Sequence, residues 1–154
     1  MKTWLILLPI ILVSWACSKP ELDPAQSIEG HYQAKLYQND SQQPWAYPIS
    51  GQNVLLEIKS VAPDTAQVTI LPSTTTSSFP KNVYSPLHAL TYSKAFIKAV
   101  PRTGYTAYYL YLVPPSNPNS LSNAIVLTSN SDLAFYNFPA TPEQDHTIEF
   151  EKLH

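Results

Sequence analysis

The chain is 154 residues long, enough for one domain with a real core, and carries 9 Lys+Arg against 11 Asp+Glu. A net charge of −2 with no Lys/Arg cluster excludes the basic face that nucleic-acid binding needs. Fifteen prolines against three glycines, without a 20–50-residue repeat, point to short strands and stiff turns and away from helices.

Lys2 gives the N-terminus a positive charge, and residues 4–15 are apolar apart from Pro9 and Ser14. A run of about 12 residues is too short to cross roughly 30 Å of hydrocarbon, so residues 1–16 are expected to be a removable signal peptide. Its loss takes away one base and no acid, leaving the mature chain one unit more negative. Small Ala16 and then Cys17, the single cysteine, end the apolar run. A lone thiol in an exported protein has no disulfide partner, and lipid attachment would give it a role. The rival is ordinary secretion with Cys17 incidental. Residues 10–19 resemble a bacterial lipobox, with Ser14 where Leu is commonest and bulky Trp15 beside it. Relaxed lipoboxes of this kind are similar to those of the Bacteroidetes group. There Lys19, Glu21 and Asp23 after the cysteine resemble a signal for export to the cell surface. The resemblance implies an outer-membrane lipoprotein facing the cell surface, or else the periplasm. Two or three fatty acyl chains such as palmitate would hold it, because one alone anchors weakly. Residues 17–27 are then a flexible tether and residues 28–154 the folded domain.

Tyr32, Ala34 and Leu36 share one parity of a half-buried strand. Residues 38–52 are expected to be a long loop; its Trp45, the only mature tryptophan, is either a plug or a stacking surface. Val54, Leu56 and Ile58 face inward on the next strand, and Ala62-Pro63-Asp64-Thr65 turns it back through residues 67–71. A Ser/Thr-rich loop covers residues 72–82, followed by a short strand at 87–92 and a stronger one at 95–100. Pro101-Arg102-Thr103-Gly104 is a turn, and residues 105–113 are apolar on both parities, so both faces should be covered. Residues 114–120 break the chain, and residues 124–128 and 133–136 pair about Asn130-Ser131. A polar loop at 139–145 precedes the closing strand, where Ile148 and Phe150 face in and Glu149 and Glu151 face out.

The pattern predicts an all-β fold, an antiparallel meander of about eight strands closing into a barrel, with a two-sheet β-sandwich as the alternative. Gly30-His31-Tyr32 at the first strand resembles the Gly-x-aromatic opening of lipocalins and lipocalin-like bacterial lipoproteins. The resemblance implies a lipocalin-like barrel with Tyr32 plugging its floor and a small hydrophobic or amphipathic ligand inside.

The four histidines, His31, His88, His146 and His154, lack metal-ligand spacing, so neither metal nor cofactor is expected. No Gly-x-Ser-x-Gly is present, Glu149 and Glu151 have the spacing of a solvated face, and three glycines are too few for a phosphate-cradling loop. No enzyme is expected. Tyr105, Tyr109 and Tyr111 share one face of their strand and Tyr108 the other, as core packing or as a cavity wall offering phenol hydroxyls. Candidate ligand residues are Tyr32, Trp45, Tyr105, Tyr109 and Tyr111. Asp64-Thr65-Ala66 resembles the Bacteroidetes O-glycosylation pattern and nominates Thr65. The expected function is a lipid-anchored ligand-binding barrel. The alternative is a surface interaction or accessory protein, or an inhibitor, whose loops 38–52, 72–86 and 114–122 contact an outer-membrane or extracellular protein or a glycan.

Overall fold

The computed structural model describes residues 22–39, 44–49, 52–72, 90–114, 121–141 and 144–154. Residues 1–21, which include the expected signal peptide and Cys17, lie outside the described residues. A short helix α1 (Pro24–Ile28) precedes β1 (Gly30–Asn39), β2 (Trp45–Ala46), β3 (Val54–Ala62), β4 (Thr65–Pro72) and β5 (Leu90–Arg102). β6 (Tyr105–Tyr111), β7 (Ala124–Thr128), β8 (Leu133–Thr141) and β9 (Gln144–Lys152) complete the order.

Period-two alternation makes these segments strands. In β3 the buried Val54, Leu56 and Ile58 alternate with more exposed residues, and in β4 Ala66, Val68 and Ile70 do the same. Every pairing is antiparallel and each strand from β3 to β9 neighbours the next. β1 pairs with both β3 and β9, which closes β1 and β3–β9 into an eight-stranded barrel, with β2 an extra strand on β1. The barrel, and not the sandwich alternative, is therefore the fold. Closure removes the unpaired edge that an open sheet of this composition would expose.

The turns fall where expected, except that Pro101 and Arg102, assigned to the second of them, pair as the last residues of β5. Pro63-Asp64 joins β3 to β4, and Thr103-Gly104 joins β5 to β6 with Gly104 at φ +87°. Gly30 has φ +155°, a backbone angle that side chains rarely adopt, and a Cβ there would stand 2.6 Å from Cε at the flexible end of Lys152, which would have to shift.

The structure departs from the sequence expectations at five further places. Leu90–Arg102 is one 13-residue strand where two were expected. A register shift between Ala34 and Leu36 moves Leu36 off the inward parity, and Tyr37 takes the interior place at 1% exposure. Residues 24–27, assigned to the tether, belong to α1, whose Ala25 and Ile28 are buried. The loop at 38–52 contains β2 and an Ile49–Gln52 bridge. The loop at 139–145 shrinks to the link between Thr141 and Gln144, because β8 and β9 extend into it.

Candidate functional site

A meander sends alternate connections to opposite ends of the barrel. At one end lie the tight β3–β4, β5–β6 and β7–β8 turns, the start of β1 and the end of β9. The chain enters here through α1: Ala25 N–H donates to Pro63 O at 3.1 Å, and the Tyr32 hydroxyl donates to Ile28 O at 2.7 Å. This is the closed end. Burial, and secondarily the charge of Asp132, push the Tyr32 hydroxyl up to a pKa of about 12, so it stays a donor. Lys152 Nζ stands 5.6 Å from the Tyr32 ring centroid, a cation–π contact at the barrel floor.

At the opposite end, the mouth, the chain leaves β1 at Asn39, β4 at Pro72 and β6 at Tyr111, and re-enters at β3, β5 and β7. These three long connections are those singled out from the sequence. The β8–β9 link also lies here.

The wall between the ends encloses a filled interior. Leu56, Val68, Leu110, Ile125, Ile148 and Phe150 have 0% accessible surface. A lumen wide enough for water, let alone ligand, would expose the side chains around it. Among the described residues these side chains pack against one another as one apolar core.

Polar groups enter this interior toward the mouth. Tyr37, on β1, and His146, on β9, are both buried and hydrogen-bonded through the Tyr37 hydroxyl and His146 Nδ1. Their rings meet edge-on with centroids 5.6 Å apart. Tyr136 on β8 and Gln52 are buried as well, and Tyr47, Leu90 and Tyr92 pack partly buried against the core. Sequence reasoning passed over His146, although it shares the inward parity of Ile148 and Phe150.

The proposed ligand residues do not come together. Tyr32 is sealed in the closed end at 2% exposure. Trp45 lies on β2 near the mouth, paired in register with Tyr37 on β1, at 38% exposure. Tyr105 starts β6 at the closed end and is exposed. In β6 the inward parity belongs to Tyr108 and Leu110, continued by Leu112 just past the strand, and all three join the core. Tyr109 and Tyr111 have the other parity, on the outer wall, where they pair in register with Val126 and Ala124 of β7. Tyr111 is nevertheless buried and Tyr109 half-buried, whereas Tyr105 and Val113 are exposed, so the covering of both faces expected for residues 105–113 holds only in the middle of that stretch.

Thr65 stands at the head of β4, its hydroxyl donating to Asp64 Oδ1 at 3.1 Å on an exposed turn. His31 lies 4.0 Å from Glu57, and His154 3.3 Å from Asp132, each histidine well exposed; His88 lies outside the described residues. Among the described residues no group of three His, Cys, Asp or Glu converges to hold a metal. An outer-wall groove beside Ala34 and Tyr47 is crossed by a Lys35–Glu151 ion pair of 3.3 Å, an exposed contact that stabilises little.

No family model, no curated protein and no solved structure matches this chain.

Proposed function

We propose that this chain is a lipid-anchored binding module of the outer membrane, probed by its partner at the barrel mouth. Cys17 carries the acyl chains, the filled barrel is a rigid support, and the connections at 40–53, 73–89 and 112–123 supply the contact surface for a protein or glycan. The observation that carries this reading is the arrangement of ends: the long connections leave the barrel opposite the point where the N-terminal segment enters. Binding residues on loops held by a stiff scaffold are the common solution to recognition. Replacing residues 73–89 or 115–120 by short Gly/Ser links should abolish capture of an outer-membrane protein or a surface glycan and leave the melting temperature nearly unchanged. Equal loss of capture and fold would overturn it.

A second reading keeps a small amphipathic ligand, seated at the mouth and not in the lumen. It is supported by Tyr37, Tyr136, His146 and Gln52, a few polar groups among apolar walls, the usual composition of a ligand site. The lipocalin-like opening at Gly30 and Tyr32 gives it further support. Native mass spectrometry of the mature protein from its own host tests it. A co-purifying mass lost on mild denaturation favours the ligand, and a clean apo mass sends attention to the loops.

A further inference from the structure

We infer that the closed end of the barrel, led by the β5–β6 hairpin, rests on the lipid headgroups of the membrane that holds the anchor. The inference depends on Cys17 being acylated, as proposed above. Leu22, the first described residue, is five positions beyond Cys17, and a fully extended link of that length spans at most about 18 Å. The end where the chain enters is therefore held close to the bilayer.

The shape of that end matches such a surface. β5 runs to Arg102, six residues past its last pairing with β4, at Phe96↔Thr65. It runs on past β7 as well, since Thr128 pairs with Ala107, opposite Val100. Part of this overhang is the tilt of staggered barrel strands, and on the β7 side Ser129 still exchanges hydrogen bonds with Thr106, so the tip stands clear chiefly on the β4 side. Leu22 and Pro24 share a cleft with Ala99, Pro101 and Tyr108, so the tether arrives beside the hairpin.

The chemistry matches too. Tyr105 is 38% exposed at the tip, beside exposed Arg102, while Leu22 and Val61 are exposed at 60% and 58%. Tyrosine places an apolar ring and a wet hydroxyl at the headgroup level, and arginine pairs with phosphate. Of the acids at this end, half-buried Asp23 lines that same cleft, Asp64 lies on the shorter β3–β4 turn, and Asp132, on the β7–β8 turn, stands 3.3 Å from His154. Exposed Glu29 follows α1 at the barrel floor. One tyrosine and one arginine do not bind a membrane alone; they orient a barrel that the lipid already holds. The mouth then points away from the bilayer.

The test uses the acylated mature protein in vesicles of phosphatidylethanolamine and phosphatidylglycerol brominated on the acyl chains. Tyr105→Trp in a Trp45→Phe background puts one indole at the tip, and the unaltered mature protein carries one at the mouth. The tip indole should lose about half its emission on brominated vesicles, and Trp45 less than about a tenth, as expected for groups at and far from the interface. An unquenched tip in protein that floats with the vesicles and carries the acyl mass overturns the contact while the anchor stands. Quenching of Trp45 alone would reverse the orientation and overturn it equally. A native protein lacking any acyl mass on Cys17 removes the anchor, and this inference with it.

Discussion

Leu110→Ala decides whether the barrel is a filled core. Leu110 has 0% exposure and is paired in register with Ile97 of β5 and Ile125 of β7, both buried. The substitution deletes three carbon groups, worth about 2.4 kcal/mol at ~0.8 kcal/mol each. In a filled core the vacated space stays empty, and lost contacts bring the total to about 3–4 kcal/mol. In a ligand-sized lumen water would occupy that space, and the loss would be nearer 1 kcal/mol. Urea unfolding measures it, with an unchanged slope showing that the surface exposed on unfolding is the same. The melting temperature should fall by on the order of 10 °C. The partly exposed neighbour Tyr109, on the outer wall, is the control: Tyr109→Ala should cost about 1 kcal/mol. A Leu110→Ala cost no larger than that of Tyr109→Ala would refute the filled interior and restore the lumen as a site.

Burial raises the Tyr32 pKa above its ordinary value of 10.0, so the folded state favours the neutral phenol. That contribution is complete below pH 10 and is lost as pH rises toward about 12; Tyr32→Phe should flatten this part of the stability–pH curve. At neutral pH the same variant leaves Ile28 O without its donor and should cost about 1–2 kcal/mol, with faster amide exchange in α1. Gly30→Ala meets both the positive φ and the Lys152 side chain and should destabilise by about 1–3 kcal/mol in urea; an unchanged midpoint would refute the strain argument. We propose Thr65 as an O-glycan acceptor, to be checked by the mass of the native protein, where an unmodified Thr65 peptide removes it.

Much of the fold was readable because the signals were local. Alternation at 54–58 and 148–150, Pro63-Asp64, and Thr103-Gly104 each dictate a strand or a turn within a few residues. What could not be read depends on partners far along the chain. The shift between Ala34 and Leu36 arises from pairing with β9, more than 100 residues away, and nothing near Leu36 reveals that Tyr37 turns inward. The same holds for β6. Both its parities are apolar, so composition could not say which faced the interior. Pairing of Leu110 with Ile97 and Ile125 decided it, moving Tyr109 and Tyr111 to the outer wall. His146 was hidden because its partner Tyr37 is 109 positions away. The short α1 gives no periodic signal, since five residues complete little more than one turn.

The division between the two ends follows from connectivity and from the entropy of closing loops. In an up-and-down barrel every second connection shares an end, so lengthening one alternating set builds one surface and leaves the other compact. Lengthening is inexpensive: doubling a flexible loop costs only about 0.6 kcal/mol. The closed end has the opposite requirement. It must seat α1 through Ala25, Ile28 and the Tyr32 hydroxyl, and hold Lys152 over the Tyr32 ring, which leaves room only for tight turns. Variation is therefore tolerated where a partner would meet the protein and resisted where a membrane anchor would pull on it. If α1 were a slack tether, truncation through residue 28 would leave stability untouched. With two buried apolar side chains and the Tyr32 acceptor lost at once, that truncation should lower the stability of the barrel by about 3 kcal/mol or more in urea.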